Sequence, residues 1–172
     1  ALTNGTTTVE MAAAYATFGN GGYYYYPYAY YKVTNSQGTQ ILLSNEDPIG
    51  QQVISPETSD IICELLQTVS TSKFGAAPNV RKFQIMAKTG TTSKQNDRWF
   101  CAGTPHYVAA VWFGFDQQET LETSGNPGGK IFMTVFDEIH KDLPEKVFPK
   151  SKGTIQKSYC TETGKLAGST CV

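Results

Sequence analysis

The chain is short of charge, of histidine and of any long apolar run. Charged residues make up 17% of its 172 residues and the formal net charge is −1, so no basic field draws nucleic acid or an anionic membrane surface. No segment approaches the roughly 18 consecutive apolar residues that a membrane span needs. The two histidines, His106 and His140, fall on a predicted turn and at a predicted helix end and read as surface residues. Neither has a local partner suggesting a Ser-His-Asp or Cys-His arrangement. There is no Cys-x-x-Cys pair with a nearby histidine, which argues against zinc, and nothing calls for a metal or another cofactor. The chain opens on Ala1-Leu2-Thr3, with neither an initiator Met nor a signal peptide. That start is expected of a processed piece whose targeting segment lies upstream.

What is present describes a globular chain: 40% hydrophobic residues and enough length for one domain or a large piece of one. Of the four cysteines, Cys63 sits in an apolar helical pattern and Cys101 in a predicted strand, so both read as core thiols. Cys160 and Cys171 bracket a short Gly-containing segment. Oxidised together they would close a loop worth about 3 kcal/mol in the chain-entropy model, and a disulfide is favoured over a metal site.

Thr7-Thr8-Val9-Glu10 fits a helix capping box, and the Met-Ala-Ala-Ala that follows continues a strong helix former until Gly19-Asn20-Gly21-Gly22 stops it. Tyr23 to Thr34 and Gln40 to Leu43, joined by Asn35-Ser36-Gln37-Gly38, predict a β-hairpin. Its tyrosines read as aromatic strand residues packed on a sheet, ahead of a cleft that stacks on sugars. Ser55-Pro56 starts a second helix, with Ile61, Ile62, Leu65, Leu66 and Val69 facing a core. Residues 70–80 read as a loop. Strands are expected at Phe83 to Thr89, Arg98 to Ala102 and Tyr107 to Phe115, the last two joined by a short antiparallel connection. A polar loop, in which Asp116 like Asp97 reads as a turn-forming aspartate, leads to a helix over Lys130 to Lys141. Ile131, Val135, Phe136 and Ile139 are expected on its buried face. The layout is α+β, an antiparallel sheet with flanking helices, over residues 1–143, with 144–172 as a short C-terminal extension.

The most informative stretch is Lys88-Thr89-Gly90-Thr91-Thr92. Lys88 supplies a cation, Thr89 and Thr91 alternate onto one face, and Gly90 lets a ligand backbone approach. An extended peptide ending in a carboxylate would fit this edge as an added strand, with the Thr91 N–H aimed at a carbonyl oxygen that becomes an oxyanion. A phosphate-binding P-loop is excluded, because that motif needs its lysine after the second glycine.

With Asp97-x-Trp99-Phe100, Gly103-x-Pro105 and Val111-Trp112-x-Gly114-x-Asp116, this stretch resembles the transpeptidase domain of bifunctional (class A) penicillin-binding proteins. Glu10 to Phe18 with Asn20-Gly21-Gly22 is similar to a helix and turn of those domains, so the resemblance spans about residues 3 to 142. It implies a penicillin-binding-protein/serine β-lactamase-like fold and a serine-type D,D-transpeptidase that crosslinks peptidoglycan stem peptides and is acylated by β-lactams. Lys88 would support proton transfer. Thr89 and Thr91 would bind the donor carboxylate, Gly90 would keep the surface open, and Thr91 N–H would form half an oxyanion hole. The implied partners are stem peptides ending in D-Ala-D-Ala, β-lactams, and an upstream segment bearing the nucleophilic serine. The implied location is outside the cytoplasmic membrane, anchored by an upstream helix. Alternatives are a serine β-lactamase-like fragment and a non-catalytic peptidoglycan-binding module.

Two formal matches are set aside. Ser70-Thr71-Ser72-Lys73 has the Ser-x-x-Lys pattern but ends a predicted helix instead of starting one. Ser124-Gly125-Asn126 has the Ser-x-Asn pattern but follows Lys-Thr-Gly, the reverse of the family order. The nucleophile is therefore expected on another segment, and this chain alone is expected to be inactive.

Overall fold

The computed structural model describes residues 5–69 and 71–168. Helix α1, Thr8–Gly19, starts at the predicted capping box, with the Glu10 carboxylate accepting from the Thr7 N–H at 2.9 Å. The chain then reverses through Gly22, whose φ is +94° and whose missing Cβ would meet the Ile54 carbonyl oxygen at 2.1 Å. Only glycine satisfies both demands.

Two small ribbons follow: β1, Tyr23–Tyr24, pairs with β4, Gln51–Gln52, and β2, Lys32–Thr34, pairs with β3, Ile41–Ser44. The predicted hairpin exists but is much shorter than expected. Pro27 cannot donate to a ladder, and every residue of β2 and β3 is exposed. Consequently Tyr25, Tyr26, Tyr28, Tyr30 and Tyr31 are exposed and outside any strand, contrary to their expected packing on a sheet.

Helix α2, Pro56–Gln67, is capped by Ser55 as predicted, but only part of its expected face packs inward, Leu66 and the following Val69 lying against the core. Ile61 and Leu65 face solvent, while Ser59, Asp60 and Cys63 are buried. Polar partners fix this rotation. The Ser59 hydroxyl donates to the carbonyls of Thr17 at 2.9 Å and Phe18 at 3.1 Å, joining α2 to the end of α1. The Asp60 carboxylate accepts from the Ser151 N–H and the Thr154 hydroxyl, and Lys150 lies beside it. These bonds hold its carboxyl below the ordinary range, the Thr154 bond having the largest effect. They also fasten residues 150–154 to α2.

The central sheet has the order β5-β6-β7, with β5 Met86–Thr91, β6 Asp97–Gly103 and β7 Val108–Gly114, all antiparallel. Strand β5 begins three residues after its expected start and runs through the Lys-Thr-Gly-Thr motif instead of ending at it. Helix α1 covers one face of the sheet and α3, Pro127–Ile139, the other. The core on the α3 side joins Phe100 and Ala102 to Phe132, Met133 and Phe136. The segment read as a loop contributes Phe74, Ala77 and Val80, and the Asp137 carboxylate on α3 caps it through the Asn79 N–H at 2.7 Å. Fully burying each such phenylalanine or methionine contributes about 1.5–3 kcal/mol.

Helix α3 buries Phe136 as expected but is turned from the rest of the expected face: Ile131, Val135 and Ile139 are exposed. Gly129 decides this, because a Cβ there would lie 2.5 Å from the Phe74 ring. Close approach at Gly128 and Gly129 brings Phe132 and Phe136 onto the sheet. On the other side Cys63, Met86 and Phe148 form a second cluster, which seats the chain beyond residue 143 against Gly19.

Candidate active site

Cross-strand neighbours share a face, so the pairs Lys88–Cys101 and Gly90–Trp99 define the α1 side of the sheet. The pairs Thr89–Phe100 and Thr91–Arg98 define the α3 side. The predicted alternation of Thr89 and Thr91 onto one face therefore agrees with the register, while Lys88 projects from the opposite face.

On the α1 side an open cleft of about 860 Å³ lies along β5. Met11 and Tyr15 of α1 and Trp99, Cys101 and Trp112 of the sheet form its apolar wall, and Lys88, Thr89 and Thr91 its polar edge. The Lys88 ammonium donates to the neighbouring Thr89 carbonyl at 3.0 Å and pairs with no carboxylate among the described residues. It can exchange that exposed bond for one to a ligand.

The same bond orients the strand. In an antiparallel strand a residue's N–H and C=O leave by one edge, and residues two apart share that edge. The Thr92 N–H donates inward to the Asp97 carbonyl at 3.3 Å, whereas the Thr89 carbonyl is reached by a side chain. The Thr91 N–H thus points off the free edge of β5. Gly90 does more than expose backbone: a Cβ there would meet Trp99 Cβ at 3.1 Å, so it makes room for the tryptophan that forms the cleft wall.

The flanking motif residues brace this edge. Asp97 accepts the Trp112 indole N–H at 2.8 Å, and its own N–H donates to the Thr92 hydroxyl at 3.1 Å, which ties the β5–β6 turn. Asp116 is exposed beyond β7.

On the α3 side a smaller cavity of about 290 Å³ touches Thr89 and Thr91. Lys73, Arg98, Ser124, Asn126 and Lys130 also line it. Two segments with formal motif matches thus meet at the true motif, a juxtaposition that sequence separation conceals. Ser70 lies outside the described residues, as does the expected Cys160–Cys171 pairing.

The histidine expectation fails at His140, which is buried. Its Nδ1 lies 2.7 Å from the Phe136 carbonyl, which only accepts, so the proton resides there and Nε2 accepts from the Thr104 hydroxyl at 2.8 Å. Burial holds its pKa below the ordinary value, the neighbouring His106 adding to the effect. His106 is half-buried, with Nε2 2.9 Å from the Pro144 carbonyl. Neither ring lines the cleft. Cys63 and Cys101 are buried as expected, and burial pushes both thiols up to about 11.

A helix-covered antiparallel sheet presenting Lys-Thr-Gly-Thr on an open edge has a known counterpart. Residues 4–135 match the family described as the penicillin binding protein transpeptidase domain, and the chain belongs to that family. Penicillin-binding protein 1A of Clostridium tetani is 34% identical over 98% of this chain and 22% of its own length. The chain thus spans about a fifth of such curated relatives. Among solved structures, penicillin-binding protein 1A of Haemophilus influenzae superposes with a TM-score of 0.78, at 23% identity, over 97% of this chain and 31% of that one. Penicillin-binding protein A of M. tuberculosis, an imipenem acyl-enzyme complex, superposes with a TM-score of 0.56 at 22% identity over 73% of this chain and 29% of that one. These likenesses establish the α+β transpeptidase fold expected from the sequence.

Proposed function

We propose that this chain supplies the substrate-binding strand of a serine D,D-transpeptidase, the nucleophile being carried by a separate upstream segment. One observation carries the reading: among the described residues β5 is a free edge beside the 860 Å³ cleft, with the Thr91 N–H directed outward and the Lys88 ammonium in no salt bridge. A stem peptide ending in D-Ala-D-Ala adds to that edge as a strand, its terminal carboxylate on the Thr89 and Thr91 hydroxyls. Serine Oγ attacks the carbonyl of the last peptide bond. The oxyanion is held by the Thr91 N–H and the N–H of the serine itself. The C–N bond breaks, D-Ala departs with the proton, and a serine ester remains. An amine of a second strand then attacks the ester, and the serine regains its proton as the C–O bond breaks. Lys88 supports these proton transfers from across the cleft.

A β-lactam acylates the same serine; the M. tuberculosis relative was solved as an imipenem acyl-enzyme complex. The catalytic portion comprises residues 1–143, with 144–172 as an extension, and the whole protein works outside the cytoplasmic membrane on an upstream anchor.

The test is to incubate the chain with a fluorescent penicillin, alone and with the upstream transpeptidase segment, and to locate the label by intact mass. Label on the upstream segment, and only when both are present, is the expected result. Label on this chain alone would restore Ser70 as nucleophile. No label in either case favours the non-catalytic binding module.

A further inference from the structure

We propose that the segment from Tyr23 to Tyr31 is a stacking platform for an uncharged polysaccharide, a β-linked chain of pyranose rings. The platform is separate from the site along β5, and none of its side chains lines either cavity there.

Three observations carry it. Seven of the nine residues in the segment are tyrosine, and the others are Pro27 and Ala29. All of these tyrosines except Tyr24 are exposed, and no phenolic hydroxyl of the segment has a hydrogen-bond partner among the described residues. The sequence from Met11 to Tyr31 contains no charged residue.

The rings stand on a backbone that is already fixed. The Asn20 side chain donates to the Tyr23 carbonyl at 2.7 Å and accepts from the Tyr23 N–H at 2.9 Å. Asn45 donates from its side chain to the Tyr30 carbonyl at 3.0 Å and from its N–H to the Tyr31 carbonyl at 2.6 Å. Gly50 leaves room for the Tyr25 ring, whose Cζ would lie 2.6 Å from a Cβ there. Tyr28 and Tyr31 meet edge to face, their centroids 6.0 Å apart at 73°, so that the two rings form a corner. A ligand bound here orders little that the fold has not ordered already.

Chemistry selects the ligand. A tyrosine is apolar on its faces and polar at its tip. The C–H face of a pyranose packs on the former, and its hydroxyls exchange hydrogen bonds with the latter. Lipid tails or an apolar protein face would bury these phenols without partners, at a cost for each. Nucleic acid stacks on aromatic rings but needs cations along its backbone, and an anionic membrane needs them too. The segment has none, so a neutral, polyhydroxylated chain is the partner that matches it.

The experiment follows the backbone amides of the ¹⁵N-labelled chain during titration with chitohexaose. Saturable shifts are expected at residues 23–31, with the amides of residues 88–91 unmoved. Tyr26→Ser/Tyr31→Ser, at the two most exposed rings of the segment, should weaken binding at least about tenfold with an unchanged thermal midpoint. Tyr26→Phe/Tyr31→Phe keeps the stacking faces and should bind within about threefold of the native chain. No shift at residues 23–31 in millimolar sugar, or shifts confined to residues 88–91, would overturn the platform. Larger shifts at residues 23–31 with phosphatidylcholine nanodiscs or a thymidine oligonucleotide would overturn it in favour of a membrane or nucleic acid. Shifts there on concentrating the chain alone would overturn it in favour of a second copy.

Discussion

Trp112 on β7 and Asp97 on β6 are joined by a 2.8 Å hydrogen bond from the indole N–H to the carboxylate, and Gly114 is what lets the indole lie there. A Cβ at Gly114 would stand 2.5 Å from Trp112 Cζ2 and 3.1 Å from the Asn96 carbonyl. Gly114→Ala should therefore destabilise the chain by about 1–3 kcal/mol through overpacking, read as a lower urea midpoint with an unchanged slope. Trp112→Phe, which removes only the hydrogen bond, should have a smaller effect.

Lys88 is exposed and forms no salt bridge among the described residues, so its loss should affect chemistry and not folding. With the upstream segment present, Lys88→Gln should slow penicillin acylation by about 100-fold or more while the thermal midpoint stays within a degree or so. A normal acylation rate in the variant would remove Lys88 from the proposed proton transfer.

Cys101 touches the cleft, yet it and Cys63 are buried and their thiols titrate at about 11. At pH 7.5 neither has appreciable thiolate. Both should resist iodoacetamide in the folded chain and react in 6 M guanidinium (~6 M being a usual denaturing concentration), as peptide mapping would show.

His140 should make the fold acid-sensitive. Its folded pKa lies below the unfolded value of about 6.5. In the window between the two, the unfolded state binds the proton and the folded state does not. Stability is thus complete above about pH 6.5 and falls as pH drops through the folded value. Urea midpoints at pH 7.5 and 5.5 should differ more for the native chain than for His140→Gln.

How much of this was legible in the sequence depended on what each element answers to. Local signals were enough for the helix starts: Thr7 with Glu10, and Ser55 with Pro56, cap the helices they predict. The Lys-Thr-Gly-Thr edge was legible because strand alternation alone puts Thr89 and Thr91 on one face. The buried faces of α2 and α3 were legible only in part: Leu66, Val69 and Phe136 pack inward as periodicity predicts, but periodicity also ranks Ile61 and Ile131 above the Ser59 hydroxyl and the space at Gly129 that set the rotation. His140 was missed for a similar reason: its partners, Phe136 and Thr104, matter only once the helix end is folded under the β6–β7 turn. The meeting of Lys73, Arg98 and Lys130 has no local signature at all.

The free edge of β5 has a consequence for handling the molecule. An edge with unpaired amides and carbonyls accepts another copy of the chain as readily as a ligand. Samples should therefore self-associate as concentration rises, and an edge-pairing peptide should keep them monodisperse in light scattering. The solubility of the chain becomes an indirect gauge of whether its groove is filled.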